Sequence, residues 1–419
     1  MIDASSTQLR PQFLLVDATR PAATWTLWGM SLTERLLRQV SLLGIEQVVV
    51  LVSQETAQDA VSWRPDLQRL HSLRCDTIER LEQLEPLVAQ SSGGFLLAQG
   101  DVVHDDRLLQ HLLQLGPDHC VAAADATVAW LSAGRWRQRL ENTPDTDLTL
   151  SQFVGGLPAT SLAQMGDYVP ELRLTMTPFM IRVSDATQLR DADHLLYRRT
   201  FKGVIDAIAR YGYYHLVRFL TRALSRTTLS PNLFTVLSIA GIWLAIPLFA
   251  TGHLALGCVS AWAGVLLDSI DGKLARLTLN LSDAMGTIEH LSAMPGLGLW
   301  FVALGWHFTD GRLLTPSVEM IACWTTLAAF LIDKVISGAF RQHFSRELFD
   351  ARPLDALFHL VAVRRNMHLL ILTIGVVLGT PQTALVAMAV GMLMTLGVHI
   401  SRFAWIGLTG GVARDTTSK

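Results

Sequence analysis

A chain of 419 residues has room for two or more domains, and its composition is not that of a soluble protein. Half its residues are hydrophobic and 17% are charged, against roughly 25% in a typical soluble domain. A net charge of −2 gives no basis for nucleic-acid binding, and the four scattered cysteines (Cys75, Cys120, Cys258, Cys323) form neither a zinc spacing nor a redox motif.

The charges are unevenly placed. Residues 1–226 carry them frequently, whereas residues 227–267 contain no Asp, Glu, Lys or Arg, and a second charge-free run covers 366–401. Each run accommodates two membrane helices of about 20 residues. The start of the chain, MIDASSTQLRPQ, lacks the basic and apolar stretches of a signal peptide, so the N-terminal half is expected in the cytosol.

Residues 1–195 open with an apolar strand at Phe13–Val16. A helix-like stretch from Leu32 stops at Gly44, and a second strand spans Gln47–Val52. Strand, helix, strand at this spacing predicts a βαβ unit in a mainly parallel sheet. A strand at Phe95–Ala98 runs through Gln99-Gly100-Asp101 into a helix from about Asp106, and Cys120–Ala124 and Leu172–Ile181 read as further strands. The expectation is a three-layer, Rossmann-like α/β domain. Asp101 has two readings: a divalent-cation ligand, with Asp185 as a second one, or the cap of the helix that follows.

Residues 196–230 place Arg198, Arg199, Lys202, Arg210, Arg218, Arg222 and Arg226 among apolar and aromatic residues at roughly helical spacing. This pattern fits a basic amphipathic helix, either on the membrane surface or packed on the soluble domain. Residues 231–408 are expected to form an all-α membrane domain of six helices, at about 232–250, 254–271, 287–307, 318–339, 366–380 and 383–405, with a flexible tail over 409–419. Basic residues gather in the connections after the second and fourth helices, so both termini are expected on the cytosolic side of an inner or cytoplasmic membrane.

The chemistry gathers in DSIDGKLARLTLNLSDAMGTIEHLSA, residues 268–293. Asp268 and Asp271 are three apart, hence on one helix face. Glu289 opens the next helix and an antiparallel pair would bring it opposite them. Three carboxylates at a membrane surface make an all-oxygen site suited to Mg²⁺ or Mn²⁺. Arg276, with the bare backbone at Gly272, suits the phosphates of a nucleotide. Charges at that depth otherwise pair with one another, here with Lys273 and Arg276. Apart from Glu319 at its start, Asp333 and Lys334 are the charges inside the fourth helix, expected to line the cavity or to pair with neighbouring helices.

Two resemblances follow from these residues. GMSLTERLLRQVSLLGIEQVVVLV and FLLAQGDVVHDD resemble stretches of sugar-phosphate nucleotidyltransferases. Their phosphate loop is glycine-rich, whereas DATRPAATWTLWG has no glycine between Asp17 and Gly29, so the resemblance implies a degenerate domain of that type. The second half resembles the CDP-alcohol phosphatidyltransferases, whose signature is D-x2-D-G-x2-A-R-x8-G-x3-D-x3-D. Asp268, Asp271, Gly272, Ala275 and Arg276 match its first part, and Leu229-Ser-Pro-Asn232 with Thr235 is similar to that family's approach to the first helix. The resemblance implies Asp268, Asp271 and Glu289 as metal ligands, and Gly272, Ala275, Arg276 and Asn232 as contacts for the CDP-linked substrate. Arg364 and Arg365 are either a grip for an anionic acceptor or plain cytosolic charge. The signature's fourth acid, also proposed as the base in that family, falls on Ala293, leaving His290 as the substitute base.

The function so implied is transfer of a phosphatidyl or phospho-alcohol group from a CDP-alcohol, CDP-diacylglycerol foremost, to a polar hydroxyl acceptor, releasing CMP in phospholipid biosynthesis. Membrane lipids and a second copy of the chain, as a homodimer, are the expected partners, and nucleic acid is not. The alternative is a non-catalytic member that binds nucleotide or lipid as a scaffold or partner subunit.

Overall fold

The structure, a computed structural model, describes residues 10–60, 70, 72–123, 125–142, 153–169, 172 and 174–409. The tail expected over 409–419 lies outside them apart from Thr409, which ends the last helix.

β1 (Phe13–Ala18), α1 (Leu32–Leu42) and β2 (Gln47–Val52) form the expected unit, with β1 and β2 parallel neighbours. They are followed by β3 (Arg74–Ile78), α2 (Glu85–Gln90), β4 (Phe95–Gln99), β5 (Val102–His104) and α3 (Asp106–Leu115). Next come β6 (His119–Ala123), β7 (Ala126–Leu131), α4 (Ala133–Asn142) and β8 (Ala159–Ser161). The seven-stranded sheet has the order β8-β6-β7-β4-β1-β2-β3. Strands β4, β1, β2 and β3 are parallel, while β7 is antiparallel to both its neighbours. Successive β1 side chains enter different cores. Leu14 and Val16 pack with Leu36 of α1 and Leu108 of α3; Phe13 and Leu15 pack with Val88 of α2 and Trp136 of α4. Burial on both faces is what a near-continuous apolar strand requires, and it produces the three layers. Of the strand expected over 172–181, Leu174–Thr175 and β9 (Met180–Arg182) are extended, the latter antiparallel to β5.

His104 ends β5 in the domain interior. It is 1% exposed and neither ring nitrogen has a hydrogen-bond partner. Burial, with Arg35 nearby, pushes its pKa down to about 3 from 6.5. Between those values the unfolded chain holds a proton that the folded chain lacks. Stability is therefore full above pH 6.5 and is lost as pH falls toward 3. His104→Leu is expected to flatten that loss by about 1.4 kcal/mol per pH unit, read from denaturant unfolding at several pH values. An unchanged slope would contradict a neutral, buried His104.

The chain leaves the domain through α5 (Ala186–Arg198), capped by the Asp185 side chain, and α6 (Tyr214–Ser225). On α6, Arg218 and Arg222 both bond Asp193 of α5, and they lie over the rings of Tyr197 and Trp28. These two cations thus face the α/β domain, while Leu216 and Phe219 are exposed.

Seven helices follow: α7 (Pro231–Ala250), α8 (Leu254–Thr278), α9 (Asp283–Phe308), α10 (Val318–Phe344), α11 (Pro353–His359), α12 (Arg365–Val377) and α13 (Pro381–Thr409). Pro231 starts α7, where a missing N–H costs nothing. Among the described residues α7, α8, α9, α10 and α13 are long and apolar enough to cross a membrane. α12, expected as a further span over 366–380, has 13 residues. That is roughly 20 Å of helix, short of a hydrocarbon core about 30 Å thick.

α7 and α8 pack backbone to backbone. A Cβ on Gly241 would sit 3.0 Å from the Gly264 nitrogen, and one on Gly264 would sit 2.9 Å from the Ile242 nitrogen. Ser238 Oγ and Ser260 Oγ each donate to the facing helix, to the carbonyls of Gly264 and Gly241 at 2.9 and 2.8 Å. Small residues with hydroxyl cross-links are how membrane helices associate without a hydrophobic drive. Gly264→Val is expected to cost roughly 1–3 kcal/mol through overpacking, seen as a lower unfolding temperature in detergent. An unchanged temperature would refute the close approach.

Candidate functional site at the end of helix α8

α8 carries no charge over nearly its first four turns and then turns polar, so its end carries the charges. Asp268 Oδ2 accepts from Arg365 Nη2 of α12 at 2.6 Å. The Asp268 and Glu289 side chains are in hydrogen-bond contact, which brings α9 to the same place. Asp271, one turn on, is 2% exposed. Its Oδ1 accepts from the Gly272 N–H, and Thr235 of α7 bonds the same carboxyl. Oδ2 of Asp271 is buried with no partner, as is Nε of Arg276.

Gly272 lies against Arg276: a Cβ there would be 3.1 Å from its guanidinium, which would have to give by a few tenths of an ångström. Ala275 is half-buried. Asn232 lies three residues before Thr235 on α7, hence on the face that reaches Asp271. His290 follows Glu289 on α9, but its side chain lies outside the described residues. Ala293 is one turn beyond Glu289 and half-buried.

Beside the cluster is a cavity of about 200 Å³ whose lining includes Lys202, Lys273, Arg364, Arg365, Asp206 and Tyr213. Lys273 Nζ lies over the Phe201 ring at 4.6 Å and reaches the Ser269 carbonyl. Asn366 Nδ2 donates to Asp206 Oδ2 at 2.8 Å and to the Tyr213 hydroxyl at 3.0 Å. Burial, then the neighbouring Arg364, pushes the His359 pKa down to about 3. The ring is therefore neutral at pH 7, and its Nε2 accepts from Arg364 Nη1 at 2.7 Å. The guanidinium is thereby held at the cavity wall. Asp206, Tyr213, His359 and Asn366 were not legible as site residues, because they come from the linker, the end of α11 and the start of α12, all remote from the motif in sequence.

Asp333 and Lys334 are absent from this lining. Asp333 pairs with His399 of α13 at 2.5 Å, and Lys334 lies over the Phe330 ring. Pairing with neighbours is thus the reading that fits them.

The donor set agrees in kind with a hard divalent cation. Asp271 Oδ2 is an orphaned buried acceptor, and Asp268 and Glu289 are two carboxyls in contact. Among the described residues, however, no three acidic, His or Cys side chains converge as a ready site, and Arg365 holds the second oxygen of Asp268.

The other candidate, Asp101, is closed. It is 2% exposed, and its Oδ2 meets Arg182 Nε at 3.1 Å and Arg20 Nη1 at 3.7 Å. Burial raises its pKa against the pull of these two cations. The cap of α3 is Asp105, which accepts from the Arg107 N–H, and Asp185 caps α5 instead of joining Asp101.

No family model and no curated protein matches the chain. Among solved structures it is similar to Mycobacterium tuberculosis phosphatidylinositol phosphate synthase (PgsA1). With CDP-DAG bound, that protein aligns at a TM-score of 0.35 and 20% identity, over 45% of this chain and 94% of that one. Its complex with manganese and citrate gives 0.34 and 20% over 45% and 88%. The apo form gives 0.33 and 20% over 47% and 99%.

Proposed function

We propose that the chain is a membrane phosphotransferase of the CDP-alcohol phosphatidyltransferase type, fused to a degenerate nucleotidyltransferase-like domain on the cytosolic side. One observation carries the reading: the residues of the motif (Asp268, Asp271, Gly272, Arg276) lie at the end of one apolar helix, where Asp268 meets Glu289 and Arg365. Asp268, Asp271 and Glu289 would hold Mg²⁺ or Mn²⁺. When bound, such an ion neutralises charge on the pyrophosphate being cleaved. Arg276 offers its guanidinium to the nucleotide phosphates, and Gly272 leaves room for them beside it.

The acceptor hydroxyl attacks the phosphorus next to the lipid or alcohol, the bond from that phosphorus to the CMP oxygen breaks, and CMP leaves with the electron pair. The hydroxyl proton passes to a base on the α9 side. Lys202, Lys273, Arg364 and Arg365 outnumber Asp206 around the cavity, which favours an acceptor bearing its own anionic group, such as a phosphorylated polyol.

The test is CMP release by the purified full-length protein with CDP-diacylglycerol, Mn²⁺ and a panel of polyols and polyol phosphates. No release above an Asp271→Ala control would overturn the reading. That outcome would favour the non-catalytic alternative, to which Ala293 in place of the fourth acid points.

A further inference from the structure

Two buried arginines of the soluble domain end on the backbone of the site helix. Arg35 and Arg38, on α1, are 4% and 0% exposed. Arg35 Nη1 donates to the Leu277 carbonyl at 2.8 Å, and Arg38 Nη1 donates to the Thr278 carbonyl at 2.7 Å. The last four carbonyls of a helix have no partner within it, and cations at that end are favoured by the helix dipole. The two bonds therefore cap α8 from another domain. Glu34 holds the Arg38 guanidinium from the other side through Nε and Nη2.

The grip is not confined to these bonds. Leu277 is 1% exposed and packs in a cluster with Leu27, Trp28, Leu32 and Tyr197 of the soluble domain. Leu279, directly after α8, is held at φ 54° and ψ 30°, a conformation that a non-glycine residue keeps only where its surroundings over-determine it. Arg276 is one residue before Leu277, and Asp271 lies less than two turns upstream. The soluble domain's own acid is meanwhile tied to Arg20 and Arg182.

We propose that Arg35 and Arg38 are positioning residues for the membrane site: the soluble domain, its own site closed, serves as the clamp that fixes the end of α8 and so sets where Asp271 and Arg276 stand. The kinetic part of this proposal rests on the phosphotransferase reading, whereas the clamp itself does not. A misplacement of about 1 Å at a reacting centre costs on the order of 10²-fold in rate, so a device that fixes this helix end has a direct route to turnover.

The test uses the full-length protein in detergent, with two variants that remove the bonds by different means. Arg35→Met deletes one carbonyl bond at similar length. Glu34→Met with Arg38→Met deletes the other together with the ion pair that holds it, so neither of these two buried charges is left facing the other's absence. Backbone hydrogen exchange is read over 270–280, with 254–266 and β1 as internal references for intact folding. The expected result is exchange about tenfold faster or more over 270–280 alone, with kcat for CMP release reduced about 10–100-fold at saturating substrates. Arg35→Lys, which keeps a cationic donor at this position, is expected to retain more of both than Arg35→Met.

Unchanged exchange over 270–280 overturns the clamp, whatever the wild-type turnover. Faster exchange with unchanged kcat overturns its role in positioning. If the wild type releases no CMP, the phosphotransferase reading fails by itself and exchange alone decides the clamp.

Discussion

Asp271→Asn is expected to reduce CMP release by about 10²–10³-fold while leaving the protein at least as stable as the wild type. The reason is local. Asp271 is buried, its Oδ1 accepts from the Gly272 N–H, and its Oδ2 has no hydrogen-bond partner. An unpaired buried carboxylate oxygen costs stability. A chain that retains one next to two other carboxyls has a use for it other than folding. Asparagine keeps the shape and the acceptor for Gly272 but removes the charge, so folding loses little while cation binding suffers. Mn²⁺ should raise the unfolding temperature of the wild type, because a ligand bound only to the folded state adds its binding free energy to stability. The same ion should do little for Asp271→Asn. A variant that loses activity only in step with its unfolding temperature would refute this role for Asp271.

The second large effect runs the other way. Ala293→Asp is expected to raise CMP release by about 10²–10⁴-fold, the usual contribution of a positioned general base. α9 places position 293 four residues after Glu289, on the same face, and Glu289 is in contact with Asp268. A carboxylate there would face the same site, and Ala293 is half-buried. The gain should persist at neutral pH and fade as the solution approaches the ordinary carboxylate range near pH 4. An unchanged rate in an active wild type would show that proton removal is already supplied by another group, and the His290→Ala variant would then identify or exclude its neighbour.

Much of the architecture was legible because it is written in local patterns. The apolar β-branched runs at 13–16 and 47–52, separated by a helix with a glycine stop, can bury their two faces only in a layered sheet. The charge-free runs at 227–267 and 366–401 are long enough for helices that shed water altogether. Period and charge count act over a few residues, so the chain displays them directly. The boundaries of α12 were less legible, since apolar composition does not reveal that Gly379 and Pro381 cut the helix at Val377.

Sequence alone therefore determined the chemical inventory: Asp268, Asp271, Gly272, Ala275 and Arg276 at the end of an apolar helix, with a glutamate at 289 and an alanine at 293. Tertiary structure decided what those groups touch. Arg365, 97 residues away in the chain, takes Asp268; Arg182 takes Asp101; and Arg35 and Arg38 hold the end of α8 from a separate domain. Arginine reaches far, and its partner is set by which helices and strands lie beside it. No spacing in a linear chain shows that pairing, and only packing decides it.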